Sequence, residues 1–108
     1  MVERRLTVAL RSTVAGLRKV LPTKHPVRVR TTGMSEIDFG ECHFVDRKNP
    51  YFLIRINSNL SPDAGTLVLV HEYAHAMAWD CEGEDHSIGW AECYSKAWRV
   101  FSGETCAN

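Results

Sequence analysis

The sequence predicts a small α+β domain in which one helix and three strands precede two further helices. Three observations lead to this prediction. Apolar residues recur at helical spacing near the N-terminus, alternate with polar residues in the middle of the chain, and return to helical spacing in the C-terminal half. The 108 residues suffice for one hydrophobic core, so a single domain spanning 1–108 is expected. The three strands are expected to form a small, mainly antiparallel sheet.

The first helix is predicted over residues 4–21. Its apolar side chains recur every three or four positions, and Pro22 ends it because proline lacks the N–H that would continue the helix. Arginines lie seven residues apart on the opposite side, at Arg4, Arg11 and Arg18. The apolar stripe consists of Leu6, Leu10, Val14, Leu17 and Leu21.

Three strands are predicted next. Residues 27–31 alternate apolar or β-branched side chains with arginines, which is typical of a half-buried strand. Residues 36–46 are also strand-like, but their apolar phase shifts, which indicates a bulge near Gly40. The turn at 47–50 contains an Asn-Pro pair and leads into the third strand, 51–57.

Two helices complete the chain. Ser61-Pro62-Asp63 has an N-cap serine, a proline at the first helical position and an acid in the first turn, so a helix is predicted from 62 to about 80. This helix is apolar nearly all round, which is typical of a central, buried helix. The last helix is predicted from 87 to 102 and ends at Gly103.

The composition excludes some classes of protein. Hydrophobic residues make up 44% and charged residues 24%, unlike a disordered chain. No apolar run approaches the roughly 20 residues that cross a bilayer, and the N-terminal segment is amphipathic. We therefore expect no membrane partner and a cytoplasmic location. No CxxC pair exists, so reduced thiols are expected at Cys42, Cys81, Cys93 and Cys106.

The net charge is zero but unevenly distributed. Residues 1–30 carry eight basic side chains against one acidic, and the remainder carries five against twelve. A molecule polarised in this way could present a basic face to nucleic acid. A solvated helix face is the preferred interpretation, because no aromatic residues interleave with the basic ones and no nucleic-acid motif is present.

The central helix contains the pattern H-E-x-x-H, at His71-Glu72-Tyr73-Ala74-His75. Helical residues four apart lie one above the other, so both imidazoles can bind one zinc ion. Glu72 lies one residue round and is predicted to act as general base towards a zinc-activated water. Buried polar groups without partners cost about 2 kcal/mol or more each, and a metal ion would supply that partner. The pattern predicts one zinc ion per chain and hydrolysis of peptide bonds.

A catalytic zinc needs a third protein ligand. The metzincin pattern would require glycine and histidine where this chain has Ala78 and Cys81, so that class is excluded. Glu92 fits the thermolysin-like pattern, but its place four residues before Lys96 favours an exposed ion pair. His86 is preferred as third ligand, because its position at the start of the last helix favours a neutral imidazole.

Over residues 51–101 the chain resembles the SprT-like zinc metalloproteases, which have a minimal zincin domain. The likeness rests on Ile54-Arg55-Ile56-Asn57 with Leu60, on residues 69–76, and on His86-Ser87-Ile88-Gly89-Trp90. Ser87 stands where the family often has glycine. The resemblance implies a zincin-like fold, peptidase activity and His86 as the third zinc ligand.

The leading prediction is a zinc-dependent metallopeptidase whose protein or peptide substrate pairs with an exposed edge strand. An alternative is a non-catalytic, zinc-stabilised domain that binds DNA or protein through its basic first helix. A third is a peptidase that cleaves one regulatory partner. Tyr94 is expected on the inward side of the last helix, as a core residue or as a donor to a tetrahedral intermediate. His25 and His43 have no ligand-spaced neighbours.

Overall fold

The computed structural model describes residues 2–35, 38–80 and 87–103. The order of elements agrees with the prediction of one helix, three strands and two helices. The elements are α1 (Val2–Val20), β1 (Val27–Thr32), β2 (Gly40–Val45), β3 (Tyr51–Asn57), α2 (Pro62–Met77) and α3 (Ile88–Ser102). The chain forms a small α+β domain with three helices and a three-stranded sheet in its described part.

The sheet is mixed, so the prediction of a mainly antiparallel sheet is wrong. β3 lies in the centre, parallel to β1 and antiparallel to β2. β3 is the strand whose alternating residues Phe52, Ile54 and Ile56 are all apolar and buried, which suits the central position. β1 and β2 are neighbours in sequence but occupy opposite edges, and sequence patterns give no direct sign of such an arrangement.

The core lies between one face of the sheet and the three helices. Phe52, Ile54 and Ile56 face it from β3, beside Val27 of β1. The predicted stripe of α1 is buried at four positions and half-buried at Leu21, which follows the helix. α2 packs against α1, α3, β2 and β3. The central position predicted for α2 is therefore confirmed.

The ends of the helices follow local chemistry. The Ser61 hydroxyl accepts a hydrogen bond from the Ala64 amide at 3.2 Å, as expected of an N-cap. α2 ends at Met77, three residues short of the prediction, and the Ala78 amide still donates to the Ala74 carbonyl. Gly103 ends α3 in the left-handed conformation, with φ 77°.

The second strand is shorter than predicted. Asp38 and Phe39 precede it and are exposed, so the apolar phase shift reflects the start of β2 at Gly40. Gly40 is required here because a Cβ atom would lie 2.6 Å from the Val68 side chain of α2 and 3.1 Å from the Arg55 carbonyl oxygen. The missing side chain lets β2 approach α2 closely. None of the helices, as far as they are described, has the length and apolar character to span a bilayer.

Candidate metal centre

The two histidines of the H-E-x-x-H pattern lie on the same side of α2. Their ring centroids are 5.0 Å apart, as expected for residues one turn apart. The surrounding positions Leu69, Val70, Tyr73 and Ala74 are fully buried. Both histidines are half-buried, and His71 lines a groove beside α2. The helix is thus held by its core contacts while it presents two imidazoles at the surface.

Glu72 lies deeper than the histidines. Its exposed fraction is 8%, and its carboxylate oxygen Oε2 is 4.0 Å from Nε2 of His71. The charge of this carboxylate also acts on the thiol of Cys42 in β2. Burial, together with the negative charge of Glu72, raises the pKa of the Cys42 thiol to about 12. Glu72 thus lies beside the His71 imidazole, and the Cys42 thiol on which its charge acts is protonated at neutral pH.

Two aromatic residues of α3 form a wall beside the histidines. The Trp90 ring centroid is 5.0 Å from that of His71 and 5.3 Å from that of His75. Tyr94 stacks on Trp90, with centroids 5.0 Å apart and planes 10° apart, and its ring lies 5.8 Å from His71. The Ser87 hydroxyl caps the start of α3 by accepting from the Trp90 amide. Capping and core contacts hold this wall against the imidazoles.

A groove of about 410 Å³ runs past these side chains. Two of its apolar residues are large and well exposed, Phe39 at 55% and Leu67 at 45%. It combines a carboxylate and an imidazole with an apolar rim, which is the usual make-up of a ligand-binding cleft. Its lining consists of Asp38, Phe39, Gly40, Leu67, Val68, His71, Glu72 and Tyr94.

His86, predicted as third ligand, lies outside the described residues, as does Cys81. Glu92 is exposed on α3, which agrees with the expectation of a solvated position. Among the side chains that the structure describes, no group of three or more histidine, cysteine, aspartate or glutamate residues could hold a metal ion. Of the predicted site residues, the described part of the chain brings His71 and His75 together and places the Glu72 carboxylate 4.0 Å from His71.

The sequence matches no family model, and no curated protein shows significant similarity to it. The interpretation of the site therefore depends on its own geometry and chemistry.

Other candidate residues have partners elsewhere. Nε2 of His43 lies 2.8 Å from Glu41, which also pairs with Arg55 at 2.9 Å. His25 packs against Phe44 and Phe52, with ring centroids 5.2 and 5.7 Å away. Cys42 and Cys93 form no disulfide bond within the described residues. Neither His25 nor His43 lines the groove.

Sequence reasoning missed several residues in the groove or close to Glu72. Leu67 lies one turn before His71, so helical spacing alone could have placed it beside the imidazole. Cys42 could have been placed on the inner side of β2 by its alternation with Phe44. Phe39 gave no such signal, because the approach of β2 to α2 depends on contacts between distant parts of the chain.

Proposed function

We propose that this chain is a zinc-dependent metallopeptidase with a zincin-like fold, related to the SprT-like proteases. The observation that carries the proposal is that His71 and Glu72 line one open groove, with the His75 ring beside that of His71. His71 and His75 lie one turn apart, and the Glu72 carboxylate lies beside His71. This is the arrangement that the H-E-x-x-H chemistry requires.

The donor set fits a zinc ion. Two imidazole nitrogens are favoured zinc ligands, and the half-buried rings can be reached from solvent. His86 is proposed as the third ligand. It comes four residues before Trp90, which contacts both histidine rings, so the start of α3 lies beside the pair. One zinc ion per chain is expected.

When bound, zinc lowers the pKa of water to about 7 and polarises a substrate carbonyl. The task of Glu72 is to take a proton from the attacking water and to pass it to the leaving amine nitrogen. Its low exposure suits this task, because a desolvated carboxylate interacts more strongly with nearby charge. Tyr94 lines the same groove, where its hydroxyl can donate a hydrogen bond to the oxyanion.

The substrate is proposed to be an extended peptide segment. β2 is an edge strand, and its first residue Gly40 lines the groove together with Phe39. An extended chain can pair with such an edge by main-chain hydrogen bonds while its side chains enter neighbouring pockets. Phe39 and Leu67 favour an apolar side chain next to the scissile bond.

Peptidase activity tests the proposal most directly. Wild type and Glu72→Gln are compared at equal zinc loading on a library of extended peptides. The variant keeps the size of the side chain but removes the base, so cleavage should fall about 100-fold or more while zinc content is unchanged. Glu92→Gln is the matched control, since it makes the same change at an exposed position and should leave cleavage unaltered.

Two results would contradict the proposal. Cleavage that is unchanged in Glu72→Gln would exclude this carboxylate as the base. A wild type that carries zinc but cleaves no peptide would favour a non-catalytic, zinc-stabilised domain. That alternative gains support from α1, where Arg4, Arg5 and Arg11 are exposed.

A further inference from the structure

The sheet has a second face, which is turned away from the core. We call it the outer face and define it by the side chains that alternate with the core residues: Arg28 and Arg30 of β1, Tyr51, Leu53 and Arg55 of β3, and Glu41, His43 and Val45 of β2. All of these side chains are exposed or half-exposed. No described helix covers them, since the helices pack on the opposite face.

The outer face is positively charged. Arg30 of β1 is the register partner of Arg55 of β3, so two arginines lie side by side on neighbouring strands. Glu41 is the single carboxylate of the face, and it is engaged by Arg55 and His43. Within residues 2–35, 38–80 and 87–103, no carboxylate forms an ion pair with Arg28 or Arg30.

The turn from β2 to β3 adds further basic residues. Arg47 and Lys48 are exposed there, next to the exposed Asp46. With them, the outer face and its turn carry five basic side chains against two acidic ones. Like charges on adjacent strands are unfavourable by themselves, and a bound polyanion would relieve their repulsion.

An aromatic ring lies among these arginines. The guanidinium carbon of Arg28 is 4.1 Å from the centroid of the Tyr51 ring. A guanidinium that lies over a ring can offer its other side to a second planar group. In the same register row, Leu53 separates Arg28 from His43, whose side chain is 49% exposed. The face thus offers planar groups between positive charges.

We propose that the outer face binds single-stranded nucleic acid. Arg28, Arg30 and Arg55 would contact phosphates, and unpaired bases would stack on Arg28 and the ring beneath it. An acidic peptide would pair with the charges, but it has no bases that could stack on the Arg28 guanidinium. A duplex would hide its bases from a flat sheet. This activity is independent of the proposed zinc chemistry, because none of these residues lines the groove.

Binding of a fluorescent oligothymidylate of about 16 nucleotides, the upper range for one small domain, tests the proposal by anisotropy. The double variant Arg28→Ala/Arg30→Ala should bind at least tenfold more weakly, with a salt slope lower by about 1.4, which corresponds to two phosphates. Arg4→Ala/Arg5→Ala is the matched control, because it removes two exposed arginines from α1. It should change the affinity less than threefold.

A second set of variants tests stacking. Arg28→Lys keeps the charge but loses the planar group, and Tyr51→Leu removes the ring. Each should weaken binding about tenfold, the usual effect of losing one stacked base, whereas Tyr51→Phe should bind as wild type does. Circular dichroism and thermal unfolding establish that each variant is folded.

Four results would overturn the proposal. They are no binding by wild type at low salt, an equal loss in the α1 control, an equal affinity for polyglutamate, and an equal affinity for a duplex of the same length. The α1 result would move the nucleic-acid site to the first helix, and the polyglutamate result would indicate a surface for acidic proteins. Peptidase activity is measured in parallel and should be unchanged in the outer-face variants, which separates this proposal from the proposed function.

Discussion

The two faces of the sheet are built from the same strands but differ in their chemistry. The inner face is apolar, with Ile54 and Ile56 fully buried. It also carries Cys42, whose thiol interacts electrostatically with Glu72 of α2. The outer face carries Arg28, Arg30 and Arg55. Since neighbouring residues of a strand point to opposite faces, a substitution can affect one face and spare the other.

Loss of a zinc ligand should have the largest effect. Residues that merely support a ligand contribute about 10-fold to 100-fold to metal affinity, so removal of a ligand itself should exceed that range. His71→Ala and His75→Ala should each lower zinc affinity more than about 100-fold, measured by competition with a chelator. Binding of the oligothymidylate to the outer face should be unaffected. Full zinc occupancy in both variants would show that the site is assigned wrongly.

The third ligand is tested by the same measurement. His86→Ala should weaken zinc binding strongly, because it removes an imidazole donor. Glu92→Ala should leave the affinity nearly unchanged, since Glu92 is exposed on α3. The reverse ranking would assign the ligand role to Glu92.

Adjacent residues of β3 should differ in their importance for stability. Ile54 is fully buried on the inner face, and Leu53 is half-exposed on the outer face. Ile54→Ala should lower the free energy of unfolding by about 2–5 kcal/mol, through lost transfer energy and the cavity left behind. Leu53→Ala should cost less than about 1 kcal/mol. Urea unfolding measures both, and similar losses would mean that the outer face is covered.

The approach of β2 to α2 is tested at Gly40. An added Cβ atom would lie 2.6 Å from Cγ1 of Val68 and 3.1 Å from the Arg55 carbonyl oxygen, so one of the two elements must move. Gly40→Ala should lower the free energy of unfolding by about 1–3 kcal/mol. It should also reduce peptidase activity, because Gly40 lines the groove. An unchanged midpoint of urea unfolding would show that Val68 adapts freely.

How far the sequence could predict this molecule depends on the distance between the residues concerned. The helices and strands follow from local spacing, and their order along the chain is confirmed. The same spacing accounts for the 5.0 Å between the rings of His71 and His75 on α2. The mixed sheet could not be predicted, because the pairing of β1 with β3 depends on contacts across the chain. The same pairing brings Arg28 onto Tyr51. Aromatic and basic residues thus interleave in space although they do not interleave in the sequence.

The smallest effect is expected at Cys42, which is the inner-face neighbour of His43. Burial and the charge of Glu72 raise the pKa of the Cys42 thiol to about 12 from its ordinary value of 9.0. The folded protein therefore holds the proton more tightly than the unfolded chain does. Well below pH 9 both states are protonated, and this thiol has no influence on the pH dependence of stability. As the pH rises above 9, the unfolded chain loses the proton first, so stability falls until the folded thiol also ionises.

The pH dependence is measured as the difference in free energy of unfolding between metal-free wild type and Cys42→Ala. Between pH 9 and pH 10 wild type should lose up to about 1 kcal/mol more than the variant, which is below the 1.4 kcal/mol limit for one proton because the unfolded thiol is only half ionised at pH 9. His43→Cys in the Cys42→Ala background is the matched control. It moves the thiol to the outer face, where solvent and the nearby Arg55 offset the charge of Glu41, so the folded and unfolded pKa values should differ less than at position 42. A fall of equal size in this control would mean that the effect does not come from burial beside Glu72, and the separation of the two faces would then fail at this strand.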